Sequence, residues 1–133
     1  MLTITFSRRF LRNDSGLNIH LETNRSRASR GGTGSTKCAG NYGIALRPLL
    51  DCKAQGFNDN LFLELETYSK GELESAVVQE MSAANVFFVM KTGEIVTPSL
   101  DRGTILPGVT RESVLRVLET FAEDLKPAMM EST

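Results

Sequence analysis

The stretch GGTGSTKCAGNYG, residues 31–43, decides how this chain of 133 residues is organised. It is rich in glycine, and the residues just before it, 24–30, are mainly arginine and serine. Glycine disfavours the interior of helices and strands because it loses the most backbone freedom on folding. The segment also lacks apolar periodicity, so residues 24–43 are predicted to form a loop rather than a helix or a central strand.

A phosphate-binding loop is the first function that such glycines suggest, but the known signatures do not fit. In the nucleoside-triphosphate loop the lysine follows a glycine directly, whereas Lys37 follows Thr36. A dinucleotide fingerprint needs a third glycine where Lys37 stands. Nucleotide binding is therefore disfavoured.

Lys37 has two interpretations. A lysine amine that is shielded from water can form an imine with an aldehyde, which is the chemistry that pyridoxal phosphate uses. Tyr42 follows five residues later. Taken alone, a surface lysine in a flexible loop is the simpler interpretation, so other parts of the chain have to decide.

Regular structure is predicted on both sides of the loop. Apolar residues alternate over Leu17–Glu22, which indicates a half-buried strand. Near-helical spacing over Ile44–Gln55, followed by Gly56, predicts a helix. Because Pro48 removes a backbone donor within that range, the helix is expected to start near Pro48 or to be kinked there.

The second half of the chain is predicted to contain strands and one helix. A strand at Leu61–Leu65 is expected to form a hairpin-like antiparallel pair with Val77–Val78 after a turn at Tyr68–Gly71.

A stronger hairpin joins Asn85–Met90 to Glu94–Thr97, since Gly93 can adopt the positive φ of a short turn. The last element is an amphipathic helix over Arg111–Ala122, with Thr110 as its N-cap. Its apolar face carries Val114, Leu115, Val117, Leu118 and Phe121.

This order predicts one mixed α/β (α+β) domain over residues 16–126, with residues 127–133 as a tail. Residues 1–15 form a basic extension with Arg8, Arg9 and Arg12 and no acid before Asp14. They are expected to be either a poorly ordered, solvated end or an organelle transit peptide.

Composition limits the partners. The formal net charge is −1, which gives no overall field to gather nucleic acid, and no run of 18 apolar residues could span a membrane. A soluble protein without nucleic-acid or membrane partners is expected. Cys38 and Cys52 are too distant for a metal-type pair, and with His20 as the single histidine no metal site is expected.

Two further segments could bind a ligand. Glu80 lies between Val77–Val78 and an apolar strand, where a carboxylate needs a cation or a donor. A protonated pyridine nitrogen, an arginine or exposure at a strand edge would each satisfy it. Residues 104–111 run into the N-terminus of the last helix, whose free N–H groups and Thr110 hydroxyl suit either an anion or a simple cap.

Together, three segments resemble one family. The segments are GGTGSTKCAGNYG, QEMSAANVFFV (79–89) and TPSLDRGTILPGVTRESVL (97–115). In this order they are similar to the fold-type-IV pyridoxal-phosphate enzymes, and among these to the plant-type branched-chain amino acid aminotransferases. The resemblance spans about Gly16–Leu118. It implies part of the large cofactor-binding domain of that fold.

The resemblance also implies roles for residues that match the family's motifs. Lys37 would attach pyridoxal 5'-phosphate covalently and move a proton, and Tyr42 would hydrogen-bond the phenolic oxygen of the cofactor. Glu80 would hold the pyridine nitrogen protonated. Three residues of the last segment would pack on the ring or bind the phosphate: Leu106, Val109 and Thr110.

The implied activity is transamination between leucine, isoleucine or valine and 2-oxoglutarate, by a cytoplasmic or organellar protein that forms a homodimer. Complete members have a smaller preceding domain and a downstream glycine-threonine-alanine segment, and neither is found here. The chain is therefore expected to be a C-terminal-domain fragment of doubtful activity on its own. The alternative is a non-catalytic remnant that dimerises with a full-length relative.

Overall fold

The computed structural model describes residues 3–4, 16–65 and 76–121. The predicted turn at Tyr68–Gly71 and the tail lie outside these residues. The strands and helices, in chain order, are β1 (Thr3–Ile4), β2 (Ile19–Glu22), α1 (Ala39–Ala54), β3 (Asp59–Leu65), β4 (Ala76–Met81), β5 (Phe88–Val89), β6 (Ile95–Val96) and α2 (Val109–Thr120).

A parallel strand pair with a helical connection forms the first half of the fold. β2 and β3 run parallel, with Ile19 opposite Asp59 and Glu22 opposite Phe62. Parallel strands need a long crossover between them. The glycine loop and α1 supply that crossover, and α1 lies against β3. The predicted mixed α/β fold is confirmed.

The main hydrophobic core lies on the three-stranded sheet β2-β3-β4. β3 and β4 are antiparallel, as predicted for this pair, with a register shift between Leu61 and Leu63. The core consists of Leu61, Leu63, Met81 and Val86, and half-buried side chains such as Ile19 pack against it.

The second sheet has the order β1-β5-β6. The predicted hairpin is confirmed: β5 pairs antiparallel with β6, and Gly93 has a φ of 87° in the turn. Its strands are two residues long each, shorter than predicted. Thr3–Ile4, within the predicted N-terminal extension, pair with β5, whereas residues 5–15 lie outside the described residues.

Helix α1 corrects the prediction for the glycine loop. It begins at Ala39, within the segment predicted to be a loop, and continues through Pro48 instead of starting there. The buried residues of α1 are Asn41, Ala45, Pro48 and Cys52, which repeat at helical spacing. Because the first of them is polar, an apolar pattern could not reveal where the helix starts.

The predicted burial of β2 is also partly wrong. The strand exists, but Leu21 is about half exposed, at 49%, while Glu22 is buried. The Glu22 carboxylate faces inward because it accepts hydrogen bonds from the backbone N–H groups of Asn24 (2.9 Å) and Arg25 (3.2 Å). These two hydrogen bonds form the turn at which the loop toward Lys37 begins.

Helix α2 begins two residues earlier than predicted. Its N-cap is Gly108, in an extended conformation and without a side-chain cap, so Thr110 lies in the first turn and the prediction of a Thr110 cap is wrong. Val117 and Phe121 are exposed, which leaves the predicted apolar face only partly covered. Within the residues described, no helix is long and apolar enough to cross a membrane.

Candidate functional site

Glu80 is a buried carboxylate at the end of β4, with 2% of its surface exposed. Its Oε1 lies 2.6 Å from Nη2 of Arg27 and accepts the backbone N–H of Leu106 at 3.2 Å. Its Oε2 accepts Nδ2 of Asn85 at 2.7 Å. Burial raises the pKa of Glu80, and the charge of Arg27 is the main effect that opposes the rise.

Arg27 is the residue of the candidate site that the sequence reasoning did not identify. Its side chain is 2% exposed and lies among three segments. While Nη2 pairs with Glu80, Nη1 donates to the carbonyl of Thr104 at 3.0 Å and to that of Gly34 at 3.4 Å. Arg27 therefore links the glycine loop, β4 and the segment that leads into α2. An arginine partner for Glu80 was one of the alternatives, but nothing in the local pattern singles out Arg27.

The glycine loop approaches the other segments closely at Gly34. A Cβ at this position would lie 2.6 Å from the Ala28 Cβ and 2.8 Å from backbone atoms of Thr104. Only glycine fits such an approach. The close packing brings the Gly34 carbonyl within reach of Arg27.

Gln79 holds the start of the loop. Its side-chain Oε1 accepts the backbone N–H groups of Arg27 (3.0 Å) and Ala28 (3.4 Å), and its Nε2 donates to the carbonyl of Ala28 at 2.8 Å. One amide side chain thus provides the pairing that a neighbouring strand would give. This fixes the backbone from which Arg27 reaches Glu80.

Lys37 lies in the outer part of the loop and is exposed. Its Nζ lies 4.7 Å from the centroid of the Tyr42 ring, so the two residues predicted to act together are neighbours. The shielding from water that sequence reasoning associated with imine formation is not supplied by the described residues.

Asn41 fixes the loop just before Lys37. Its Nδ2 donates to the carbonyls of Thr33 and Thr36, both at 2.7 Å, and its Oδ1 accepts the Thr33 hydroxyl at 2.8 Å. Cys38 is the N-cap of α1, and the pKa of its thiol is lowered, mainly by a hydrogen bond with the Thr33 side chain. The loop around Lys37 is therefore ordered by polar contacts, not by apolar packing.

The start of α2 presents free backbone donors. No side chain caps the helix, and Val109 is 84% exposed with Thr110 exposed beside it. An open groove of about 430 Å³ lies next to this first turn and is lined in part by Leu100, Arg111 and Arg116. Free N–H groups and the helix dipole favour an anion at this position.

The structure brings several predicted site residues together. Glu80 and Leu106 are hydrogen-bonded to each other. Arg27, from the loop that carries Lys37, contacts Glu80 and the carbonyl of Thr104, while Tyr42 lies in the first turn of α1 beside Lys37. Val109 and Thr110 follow shortly after Leu106, at the helix start. Their individual roles stay predictions.

A family model described as amino-transferase class IV matches residues 7–128. The chain belongs to this family. The resemblance drawn from the three motifs is thereby confirmed.

Relatives of known name support the same family. A methionine aminotransferase from Arabidopsis thaliana is 40% identical over 113 residues, which is 85% of this chain and 29% of that protein. A mitochondrial branched-chain-amino-acid aminotransferase from the same plant is 39% identical and matched over 81% of this chain and 26% of its own length. A probable branched-chain-amino-acid aminotransferase from Staphylococcus epidermidis is 35% identical, with 81% and 28% covered. The chain spans less than a third of each of these relatives.

Solved structures confirm the fold. The holo-form of a branched-chain amino acid aminotransferase from Thermobaculum terrenum matches with a TM-score of 0.64 at 26% identity, over 79% of this chain and 31% of that one. A second branched-chain amino acid aminotransferase, complexed with N-(5'-phosphopyridoxyl)-L-glutamate, matches with a TM-score of 0.63 at 27% identity, over 80% and 32%. This class IV chain therefore has part of the fold of those enzymes.

Replacement of Arg27 by methionine should destabilise the protein strongly at neutral pH. Loss of one partner of a buried ion pair leaves an unpaired charge and costs about 3–5 kcal/mol. The pKa of Glu80 should then rise further, so the folded state binds a proton more readily than the unfolded state. The deficit should therefore shrink as the pH falls towards that pKa. Urea denaturation at several pH values measures the free energy of unfolding of both proteins, and the difference is the deficit.

Two matched variants complete this test. Glu80→Gln in the Arg27→Met background removes the uncompensated charge and should recover much of the loss at neutral pH. Arg47→Met removes an exposed partner of Asp51 and should change stability little. An Arg27→Met deficit that is the same at every pH would show that Glu80 does not carry the effect.

Proposed function

We propose that this chain provides part of the active site of a pyridoxal-phosphate-dependent aminotransferase for branched-chain amino acids and 2-oxo acids. The observation that carries the proposal is the buried Glu80 carboxylate, hydrogen-bonded to the segment that leads into the uncapped start of α2. Family membership and the names of the relatives support the reaction type. One relative is a methionine aminotransferase, so methionine is a second candidate substrate.

The residues present fit pyridoxal phosphate. Lys37 offers an accessible primary amine next to the Tyr42 ring. Glu80 has one hydrogen bond at Oε2, and a carboxylate oxygen can accept a second from a ring N–H. The start of α2 offers backbone donors to a phosphate.

When bound, the cofactor supplies an electron sink for the bond changes at the substrate Cα. Lys37 is proposed to bind the cofactor aldehyde through Nζ and then to carry a proton on the same atom. Tyr42 would donate its hydroxyl to the phenolic oxygen. Glu80 would keep a proton on the ring nitrogen, while Leu106 would pack on the ring.

Lys37 should be the residue that reacts with the cofactor. The folded chain is incubated with pyridoxal 5'-phosphate, reduced with borohydride and mapped by peptide mass spectrometry. The adduct is expected at Lys37 and should disappear in Lys37→Ala. Lys53→Ala, an exposed lysine in the last turn of α1, is the matched control and should keep the adduct. An unmodified Lys37, or equal labelling of all lysines, would contradict the proposal.

Val109→Pro should weaken phosphate binding selectively. Proline at the first helical position is tolerated, and the preceding Gly108 already has the extended conformation that proline requires (φ −68°, ψ 137°). The substitution removes the Val109 N–H, and loss of a hydrogen bond to a charged group should raise the Kd of pyridoxal 5'-phosphate roughly tenfold. Spectroscopic titration measures the Kd.

Two controls isolate the backbone donor at Val109. Val109→Ala keeps the N–H and should bind like the unmodified chain. Pyridoxal, which has no phosphate, should bind both variants equally. If Val109→Pro weakens pyridoxal as much as pyridoxal 5'-phosphate, the N–H does not contact the phosphate.

A second candidate function is association with another copy or with a full-length relative. Large apolar side chains on α1 and at the C-terminal end of α2 are about half exposed, and these are Ile44, Leu46, Leu50, Val117 and Phe121. Such side chains favour protein contacts. Leu46→Glu combined with Leu50→Glu should reduce association measured by light scattering, whereas Lys53→Glu should not. A chain that is monomeric alone and in the presence of a full-length relative would contradict this candidate.

A further inference from the structure

Asn85 connects two parts of the site that are distant in sequence. Its Nδ2 donates to Oε2 of Glu80 at 2.7 Å and to the carbonyl of Leu106 at 2.8 Å. An amide nitrogen has two hydrogens, so one group serves both acceptors. Glu80 Oε1 also accepts the N–H of Leu106, so Glu80 and Leu106 are joined both directly and through Asn85.

The other end of the Asn85 amide faces the start of α2. Gly108, the N-cap, packs so closely on Oδ1 of Asn85 that an added Cβ would overlap this oxygen. The next atoms that the Cβ would meet are the Asn85 Cγ, at 3.4 Å, and the Arg111 Cβ, at 3.7 Å. Asn85 is therefore the main obstacle to a side chain at residue 108.

We propose that Asn85 is a positioning residue that holds the Glu80 carboxylate in register with the N-terminus of α2. A ligand with a protonated ring nitrogen at one end and a phosphate at the other then meets both groups at a fixed spacing. This inference rests on the proposed function, and it adds a residue to which no role in the reaction was assigned above. In this proposal Asn85 acts through its contacts with Glu80 and Gly108 and not through the cofactor itself.

The contact with Glu80 gives Asn85 an effect that packing alone would not have. The groups that face the Glu80 carboxylate are Arg27 from the glycine loop, the Leu106 N–H from the segment before α2, and Asn85. Each favours the charged carboxylate and opposes the rise in pKa caused by burial. Loss of the Asn85 donor should therefore let Glu80 take up a proton at higher pH.

The first experiment compares Asn85→Ala and Asn85→Asp with the unmodified chain. The ionisation of Glu80 is followed in the cofactor-free protein by NMR of 13C-labelled glutamate carboxyl groups. Its midpoint should move to higher pH in both variants, and further in Asn85→Asp, which keeps the shape but places a second carboxylate beside Glu80. Asn24→Ala, in which an exposed asparagine side chain is removed, is the control and should leave the midpoint unchanged.

The second measurement uses pyridoxal 5'-phosphate as the probe. Its Kd should rise roughly tenfold in Asn85→Ala, because a displaced Glu80 no longer hydrogen-bonds the ring nitrogen, and the loss of one hydrogen bond to a charged group corresponds to a change of about this size. When the Kd is measured as a function of pH, the pH below which binding weakens should rise together with the midpoint of Glu80. An unchanged midpoint in both Asn85 variants overturns the inference.

Gly108→Ala tests the same contact from the other side and remains available if Asn85→Ala does not fold. The new methyl group should displace Asn85 and shift the Glu80 midpoint in the same direction. In the Asn85→Ala background the overlapping oxygen is absent, so Gly108→Ala should add little. An unchanged Glu80 midpoint in Gly108→Ala alone overturns the inference, and so does an equal effect of Gly108→Ala in both backgrounds when both fold.

The two hypotheses fail in different ways. If the unmodified chain forms no adduct at Lys37, the proposed function fails. The assignment of pyridoxal 5'-phosphate as the ligand between Glu80 and the start of α2 then fails as well. The NMR midpoint then still decides whether Asn85 controls the ionisation of Glu80. If the adduct forms but Asn85 variants keep the same midpoint and the same Kd, the proposed function stands and the positioning role is wrong.

Discussion

The ion pair between Arg27 and Glu80 is the constraint on which the rest of the site depends. Both side chains are removed from water, and the cost of burying a charge is offset only by close pairing and further hydrogen bonds. The structure supplies these bonds from Thr104, Gly34 and the Leu106 backbone. Because these groups belong to the glycine loop and to the segment before α2, and Glu80 belongs to β4, one buried ion pair also sets the relative positions of these three parts.

Three amide side chains complete this arrangement: Asn41, Gln79 and Asn85. Each carries donors and an acceptor, so it can satisfy backbone or side-chain groups in irregular segments that no strand ladder reaches. Asn41 closes the loop before Lys37, and Gln79 fixes the backbone of Arg27. Asn85 joins Glu80 to the segment before α2. Polar contacts therefore define the shape of the site, while the apolar core is formed by side chains of β3 and β4 together with Val86.

Much of the fold could be predicted because it depends on local patterns. Alternation predicted β2 and β3, and Gly93 located the turn of the β5–β6 hairpin. β1 was not predicted, because two residues are too few to show a pattern. The start of α1 could not be predicted, because its first buried residue, Asn41, is polar and is buried by hydrogen bonds to the preceding loop. The cap of α2 was missed for a related reason: a threonine is a better cap by propensity, but the backbone enters the helix at Gly108.

The candidate site divides along the same line. Its motif residues were identified through the resemblance to a known family, whereas Arg27 was not, since its burial depends on acceptors as far away in sequence as Thr104. The two ionisable groups of the proposed site, Glu80 and Lys37, differ in burial. Glu80 is already desolvated and surrounded by partners, and a group held in this way does not need to reorganise when a ligand binds. Lys37 is exposed beside Tyr42, where an aldehyde can reach it. The proposed site thus combines a fixed carboxylate, Glu80, with an accessible amine, Lys37. Arg27 contacts both Glu80 and Gly34, and it thereby links the carboxylate to the loop that carries the amine.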